Sequence, residues 1–324
     1  MTQAYGQDAA IALGFQDSGG TANVSSLHFI PFLSDGIGVA KEPLTSQNMA
    51  GYYDAGDDYE GVNTVDGELS AEAEPIPLGM MLAAVFGRPT TTQLDTGVYQ
   101  HVFEPRQDDF DRHFANDPVT MHKHLGDPGS ASLFYDLNGG TLNLSVANGE
   151  FLQATVGFVG GKESQEVKTA ASYDRGKRWT WDSTSAQING ASVDELMDVA
   201  ITLNEQLEAQ HTLKDQKTPS RIKRTEMRTV EVSGTIKFET QDEYQAFRNQ
   251  SERPLELHFR GASEISSGYR ESLTVEAPAL RYREFRPAAD GAGPIEPSFT
   301  AAAKYHASSG TALRVTLVNT QATY

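Results

Sequence analysis

A period of two runs through most of this chain. Leu142, Leu144 and Val146 alternate with polar residues, Asn148-Gly149 supplies a tight turn, and Leu152, Ala154, Val156 and Phe158 resume the alternation beyond it. Alternation puts one set of side chains on one face of a strand, and Asn-Gly is a favoured two-residue connection, so this segment predicts a β-hairpin. The pattern recurs at Val199/Ile201/Leu203, Val230/Val232, Ile236/Phe238, Leu255/Leu257/Phe259 and Leu313/Val315/Leu317. Strands patterned this way must each bury one face against another layer, and the expectation is a mainly β protein.

Only two short helices are predicted. Pro75 suits a first helical turn, and Leu78, Met81, Leu82, Val85 and Phe86 recur at spacings of three and four until Gly87. Thr240-Gln241-Asp242-Glu243 spells a capping box ahead of Tyr244 and Phe247.

These helices have similar surroundings. Each follows a strand holding a glycine, Gly67 or Gly234, and each precedes an Arg-Pro pair, Arg88-Pro89 or Arg253-Pro254. A strand with a histidine comes next, His101-Val102-Phe103 in one case and His258-Phe259-Arg260 in the other. The hairpin turning at Asn148-Gly149 has a counterpart turning at Asp290-Gly291, with Phe158 and Phe299 in the returning strands. The shared order predicts an internal duplication at low residue identity. Two tandem β units are expected, 27–161 and 179–324, each with one short helix. An N-terminal segment, 1–26, precedes them and a polar linker, 162–178, joins them.

Charge divides the chain as well. Residues 1–165 hold 22 Asp+Glu against 6 Lys+Arg, and residues 166–324 hold 22 against 20, giving −16 and −2. A first half of this sign repels phosphate instead of releasing its counterions, which argues against specific nucleic-acid binding there. The absence of cysteine excludes disulfides, a thiol nucleophile and Cys-ligated metals. The longest apolar run, 76–87, is too short to cross a bilayer, and Met1-Thr2-Gln3-Ala4-Tyr5 lacks the basic and apolar regions of a signal peptide. A soluble protein made in a cytoplasm is expected, with no membrane contact.

The residues offer no catalytic constellation, and neither cofactor nor metal is expected. His122 and His124 share one face of a predicted strand without a third metal ligand, and they read as solvent-facing. Asp54-Ala55-Gly56-Asp57-Asp58 lacks the alternating ligands and closing Glu of a calcium loop, and Gly36-Ile37-Gly38 lacks what a phosphate loop needs and reads as a strand irregularity. Asp108-Asp109 lies in a polar stretch unsuited to raising a carboxyl pKa. Trp179 and Trp181 alternate onto one side of a predicted strand; interface or core packing is the commoner use of such residues, and an exposed ligand patch the rarer.

Each unit also carries a long polar connection between its early strands. Lys41–Glu60 includes Asp54, Asp57, Asp58 and Glu60, whereas Glu208–Glu226 includes Lys214, Lys217, Arg221, Lys223 and Arg224. Long loops of this kind in compact β units are commonly functional, and their opposite charge suggests that they meet between adjacent subunits or stacked rings.

The order of segments resembles that of the tail tube proteins of long, flexible-tailed bacteriophages. The resemblance rests on Phe29-Ile30-Pro31-Phe32, Leu78-Gly79-Met80-Met81-Leu82 with Val85-Phe86-Gly87, and Tyr99-Gln100-His101-Val102-Phe103. Leu142–Phe158, Gln187-Ile188-Asn189-Gly190 and the closing Val315-Thr316-Leu317-Val318-Asn319 with Tyr324 complete it. It implies a structural virion protein, not an enzyme, built on a β-sandwich or half-barrel core whose inner sheets join into a ring around a channel. Rings would stack into the tube through which the genome leaves the capsid. Two fused units would close such a ring with three copies, single units with six. The resemblance further implies a tape-measure protein and tail terminator and distal tail proteins as partners, and DNA passing without specific binding. The competing expectation is a two-domain β-sandwich baseplate or decoration protein.

Overall fold

The computed structural model describes residues 5–23, 25–48, 51, 53–54, 56–107, 117–126, 130–174, 176–213, 216–289 and 291–324. The first half holds β1 (Ala9–Phe15), β2 (His28–Ile30), β3 (Ser34–Asp35), β4 (Gly38–Thr45), β5 (Asp58–Glu72), α1 (Pro75–Phe86), β6 (Thr90–Asp95), β7 (Val98–Phe103), β8 (Val119–Leu125), β9 (Ser130–Ala147), β10 (Gln153–Gly160) and β11 (Lys162–Val167). The second holds β12 (Thr184–Ile188), β13 (Ala191–Ser192), β14 (Leu196–Asn204), β15 (Leu207–Gln210), β16 (Arg221–Arg224), β17 (Thr229–Ile236), α2 (Asp242–Asn249), β18 (Leu255–Ser266), β19 (Tyr269–Ala277), β20 (Leu280–Phe285), β21 (Ser298–Ala303) and β22 (Arg314–Asn319). The protein is mainly β, as its period-two patterning predicts.

One long antiparallel sheet runs β4-β5-β10-β9-β14-β17-β21-β20 through both halves. It consists of two blocks with the same order. In the first, β5 lies between β4 and β10, and β9 follows; in the second, β17 lies between β14 and β21, and β20 follows. The glycines expected to correspond occupy matching places: Gly67 faces Phe158 across β5 and β10, and Gly234 faces Phe299 across β17 and β21. A Cβ on Gly67 would strike the carbonyl oxygen of Gly36, between β3 and β4, and one on Gly234 that of Asp198 on β14. Only glycine permits those two close backbone passages.

A second sheet, β13-β12-β18-β19-β22-β7-β6, covers the first and again joins both halves. It does not repeat its order. His101 lies on the second strand after its Arg-Pro pair and His258 on the first, so these two histidines, expected to correspond, do not. β22 pairs β19 through Val315↔Val275 and β7 through Val315↔Phe103, so the end of the chain stitches the halves together.

Helix α1 lies between the two sheets, against β9 and β10 on one side and β7, β19 and β22 on the other. The sequence predicts one apolar face; instead every residue of α1 except Ile76 is buried. A helix apolar all round belongs inside a core, and the small residues Gly79, Ala83 and Ala84 let backbone approach it. A Cβ on Gly139 of β9 would come within 2.7 Å of the Ala84 carbonyl oxygen. In α2 the expected capping box does not form: Gln241 takes the cap position without a side-chain bond, because the Thr240 hydroxyl accepts from the Asp242 amide at 3.4 Å.

The segment expected as a linker begins as β11, antiparallel to the first part of β9. Beyond it Tyr173 packs edge-on against Phe29, with ring centroids 6.0 Å apart, in a small cluster with Ala10 and Ala12. His122 and His124, on β8 opposite Ala12 and Ala10 of β1, are buried and not solvent-facing as the sequence predicts. The N-terminal segment is likewise part of the fold, since β1 pairs both β2 and β8 and Gln16 donates to buried Asp136 at 3.0 Å. Gly36-Ile37-Gly38 is an irregularity between β3 and β4. The β20–β21 hairpin forms with a long connection, in which Asp290 lies outside the described residues, as do Asp108 and Asp109.

Candidate assembly surfaces

The junction between the blocks is a β9–β14 ladder. Thr141–Ala147 pairs Asp198–Asn204 in antiparallel register, with Leu142, Leu144, Val199, Ile201 and Leu203 turned to the core. The opposite face carries Thr141, Asn143, Ser145, Ala200 and Thr202, and Asn143 donates to Thr202 across the junction at 2.9 Å. That polar face continues along the sheet through Asp66, Glu68 and Ser70 on β5, Asp198 on β14, and Glu231 and Ser233 on β17. Strands β5, β9, β10, β14, β17 and β21 contain no Lys or Arg at all. The result is a broad hydroxyl- and carboxylate-bearing surface of one sign.

The two polar connections are hairpin arms. In the first block β4 and β5 pair as far as Thr45↔Asp58, and Asp54, Asp57, Asp58 and Glu60 are exposed toward its tip. In the second, β15 and β16 form a separate hairpin that packs on β10. Lys217, in its tip, pairs with Glu60, and its carbonyl accepts the Asn63 amide at 2.9 Å. The Lys217 hydrogen bond and charge hold the Glu60 carboxyl below its ordinary pKa, with Lys41 adding to this at 3.8 Å. Of the expected contact residues, therefore, Lys217 and Glu60 meet within one chain. Arg221 is bonded to Gln210 at 2.8 Å, Lys223 lies on β16, and Lys214 lies outside the described residues.

Arg224 has an internal role that the sequence reading missed. It pairs with the fully buried carboxylate of Glu205, which Arg228 also reaches at 2.9 Å. Arg228 donates in addition to the Arg106 carbonyl at 3.0 Å, and the Glu205 amide donates to Gly140 at 2.8 Å, so the triad pins the base of the hairpin to the first half. A signal was present: Glu205 continues the parity of Val199, Ile201 and Leu203, and an acid at a core-facing strand position demands partners.

Trp179 and Trp181 do not form one patch, since Trp179 is buried and Trp181 is 48% exposed. Among the described residues no helix is long and apolar enough to cross a membrane, and no group of three or more His, Asp or Glu is arranged to hold a metal.

A family model described as phage tail tube protein matches residues 6–303, nearly the whole chain, while no curated protein matches it. Two joined β blocks with exposed strand edges suit a protein that assembles with itself. By this match the chain belongs to the phage tail tube protein family, a structural component of the virion tail.

Proposed function

We propose that three copies of this chain close into a pseudo-sixfold ring, and that such rings stack into the tail tube of a long, flexible-tailed phage through which the genome is ejected. One observation carries this reading. The β9–β14 ladder joins two blocks of the same strand order and leaves β4 and β20 at the ends, each paired on one side only among the described residues. β4 holds in the first block the place of β14 in the second, and β20 holds that of β9. A neighbouring copy's β4 can thus continue along β20 as β14 does along β9, and repetition of this contact closes a ring without a free edge. The matched blocks support an internal duplication as the origin of that geometry.

In this ring the face bearing Asp66, Glu68, Asp198 and Glu231 lines the channel. Fixed negative charge and hydroxyls, with no Lys or Arg on the six central strands, favour passage of DNA without adhesion. A tape-measure protein inside the growing tube and terminator and distal tail proteins at its ends would be the partners, with synthesis in the host bacterial cytoplasm. End-on electron microscopy of tubes assembled from the purified chain tests this. Threefold rings are expected; true sixfold rings of separate chains would remove the two-block closure, and particles that never form rings at high concentration would overturn the reading in favour of a baseplate or decoration protein.

A further inference from the structure

Strands β2, β1, β8, the first part of β9 and β11 run side by side. Across them Phe29, Ala12, His122, Leu133 and Ser164 stand opposite one another in turn, and directly opposed residues share a face. The same parity sets Ala10, His124, Ala131 and Glu166 on that face, since residues two apart point the same way. The reverse face sends Ile11, Leu13 and Ile30 into the main core. Yet this one is buried too, at every member of the two rows except Ser164 and Glu166. Among the described residues the side chains packed against its Ala10, Ala12 and Phe29 are Leu27 and Tyr173. Tyr173 belongs to 168–174, which leaves β11 and crosses to Phe29 on β2 without forming helix or strand.

We propose that residues 168–174 are an acid-released strap, closed over this face while His122 and His124 are neutral and freed when they take up protons, before the rest of the chain unfolds. Two imidazoles stand two residues apart on one strand, amid alanine, leucine and phenylalanine. Neither ring nitrogen of His122 makes a well-formed hydrogen bond; the Val167 backbone and the Glu166 carboxylate approach it. His124 Nδ1 lies 3.3 Å from the Asp8 carbonyl and 3.3 Å from the Gly126 amide. Protonating the pair would seat two positive charges on a dry face, a cost that entering water relieves. Water has an easy way in only on the strap side, because the reverse face is the main core. The surrounding charges do not cancel the pair. Glu166, exposed on β11, is one carboxylate against two imidazolium ions, and Lys123, between the histidines, points to the reverse face and pairs with Asp35. Asp174 lies beside His28 and would hold the strap's far end more firmly once His28 is protonated, but it is exposed and its attraction is screened. Burial, aided by His124, keeps the His122 pKa below its ordinary value despite Val167 and Glu166. Proton uptake and opening of the face are therefore linked, with acid favouring the open form.

The chain has no cysteine, so one introduced thiol reports on one place. Ala12→Cys puts it on the covered face, and Val275→Cys, in the second sheet, serves as the control; both sites are buried. Each is treated at pH 8 and pH 5 with 4,4′-dithiodipyridine, and its rate is divided by that of a free thiol at the same pH. The Ala12→Cys ratio should rise at least about tenfold at pH 5 while the Val275→Cys ratio stays put. Adding His122→Gln/His124→Gln to the Ala12→Cys chain should abolish the rise. A covered thiol that stays protected at pH 5, a rise shared by both thiols, or a rise that survives loss of the two histidines would each overturn the proposal. Hydroxyl-radical footprinting of the unaltered chain gives a reading free of substitutions. Oxidation of Phe29 should increase several-fold between pH 8 and pH 5 while that of buried Phe259 in the second sheet does not, and equal change at both would likewise overturn it.

Discussion

The ring of Tyr324 lies directly over Gly79, so close that a Cβ on Gly79 would fall inside the phenol. Its hydroxyl donates to the Ile76 carbonyl at 3.0 Å and accepts from Asn319 at 2.6 Å, and Asn319 also donates to the Pro75 carbonyl at 2.9 Å. His101 completes the cluster. Its Nε2 faces two acceptors, the Asn319 side-chain oxygen at 3.2 Å and the Gln321 carbonyl at 2.9 Å, so Nε2 carries the proton and Nδ1 accepts from Thr91 at 2.8 Å. The residues after β22 thus lock the first turn of α1, in the other half of the chain.

Gly79→Ala should destabilise the fold by about 1–3 kcal/mol, because the added methyl must displace a buried ring. Tyr324→Ala should cost about 3–5 kcal/mol by removing that ring, and Tyr324→Phe about 1 kcal/mol by removing its hydrogen bonds. Urea midpoints at constant slope measure all three. Equal loss for Phe and Ala would place the energy in the hydroxyl and contradict the packing account.

Glu205→Gln should destabilise the chain by roughly 3 kcal/mol or more, since it leaves Arg224 and Arg228 buried against a neutral side chain. Lys217→Glu, on an exposed pair, should leave the unfolding midpoint where it is. A thermal melt of each compares them. The same contrast bears on charge reversal of the basic arm: a change at Arg224 breaks an internal triad as well as any intermolecular contact, so it cannot test assembly by itself.

Acidification should weaken the fold below pH 6.5. Burial lowers the pKa of His28, His101 and His122 from 6.5, offset for His28 by Asp174, for His101 by Gln321 and Asn319, and for His122 chiefly by the Val167 backbone. Each is held neutral in the native state while the unfolded chain binds a proton, so its contribution is fully present above pH 6.5 and is lost as pH falls through the folded value. Stability measured by denaturant between pH 8 and pH 5 should fall with acid, and His122→Gln should flatten the curve. An unchanged slope in that variant would remove His122 from the account.

Reversing charge on the proposed channel face, as in Asp66→Lys/Glu68→Lys, should leave tubes intact but slow genome release, most at low salt where phosphate attraction is least screened. Ejection followed by dye binding to released DNA provides the measurement. Unaltered release at low salt would place those carboxylates away from the DNA path.

Much of the fold is legible locally. The hairpin around Asn148-Gly149 and the span of α1 from Pro75 to Phe86 both follow from alternation, turn residues and helix ends. The assembly surfaces were legible only in part. The acidic and basic arms stand out as long charged connections, but nothing near Lys217 in sequence indicates that it reaches Glu60, and the Glu205 triad shows only as an acid at a core-facing position.

The sequence by itself determined the strands with clear alternation, such as those at Leu142–Val146 and Val199–Leu203, and where α1 begins and ends, because side-chain periodicity and backbone conformation are set within a few residues. Tertiary structure alone decided that β9 joins β14, that β22 lies between β19 and β7, that His122 and His124 are buried, and that Lys217 reaches Glu60. Those outcomes depend on whole faces being buried together across the chain, and a strand's pattern shows that it needs a partner without naming which one.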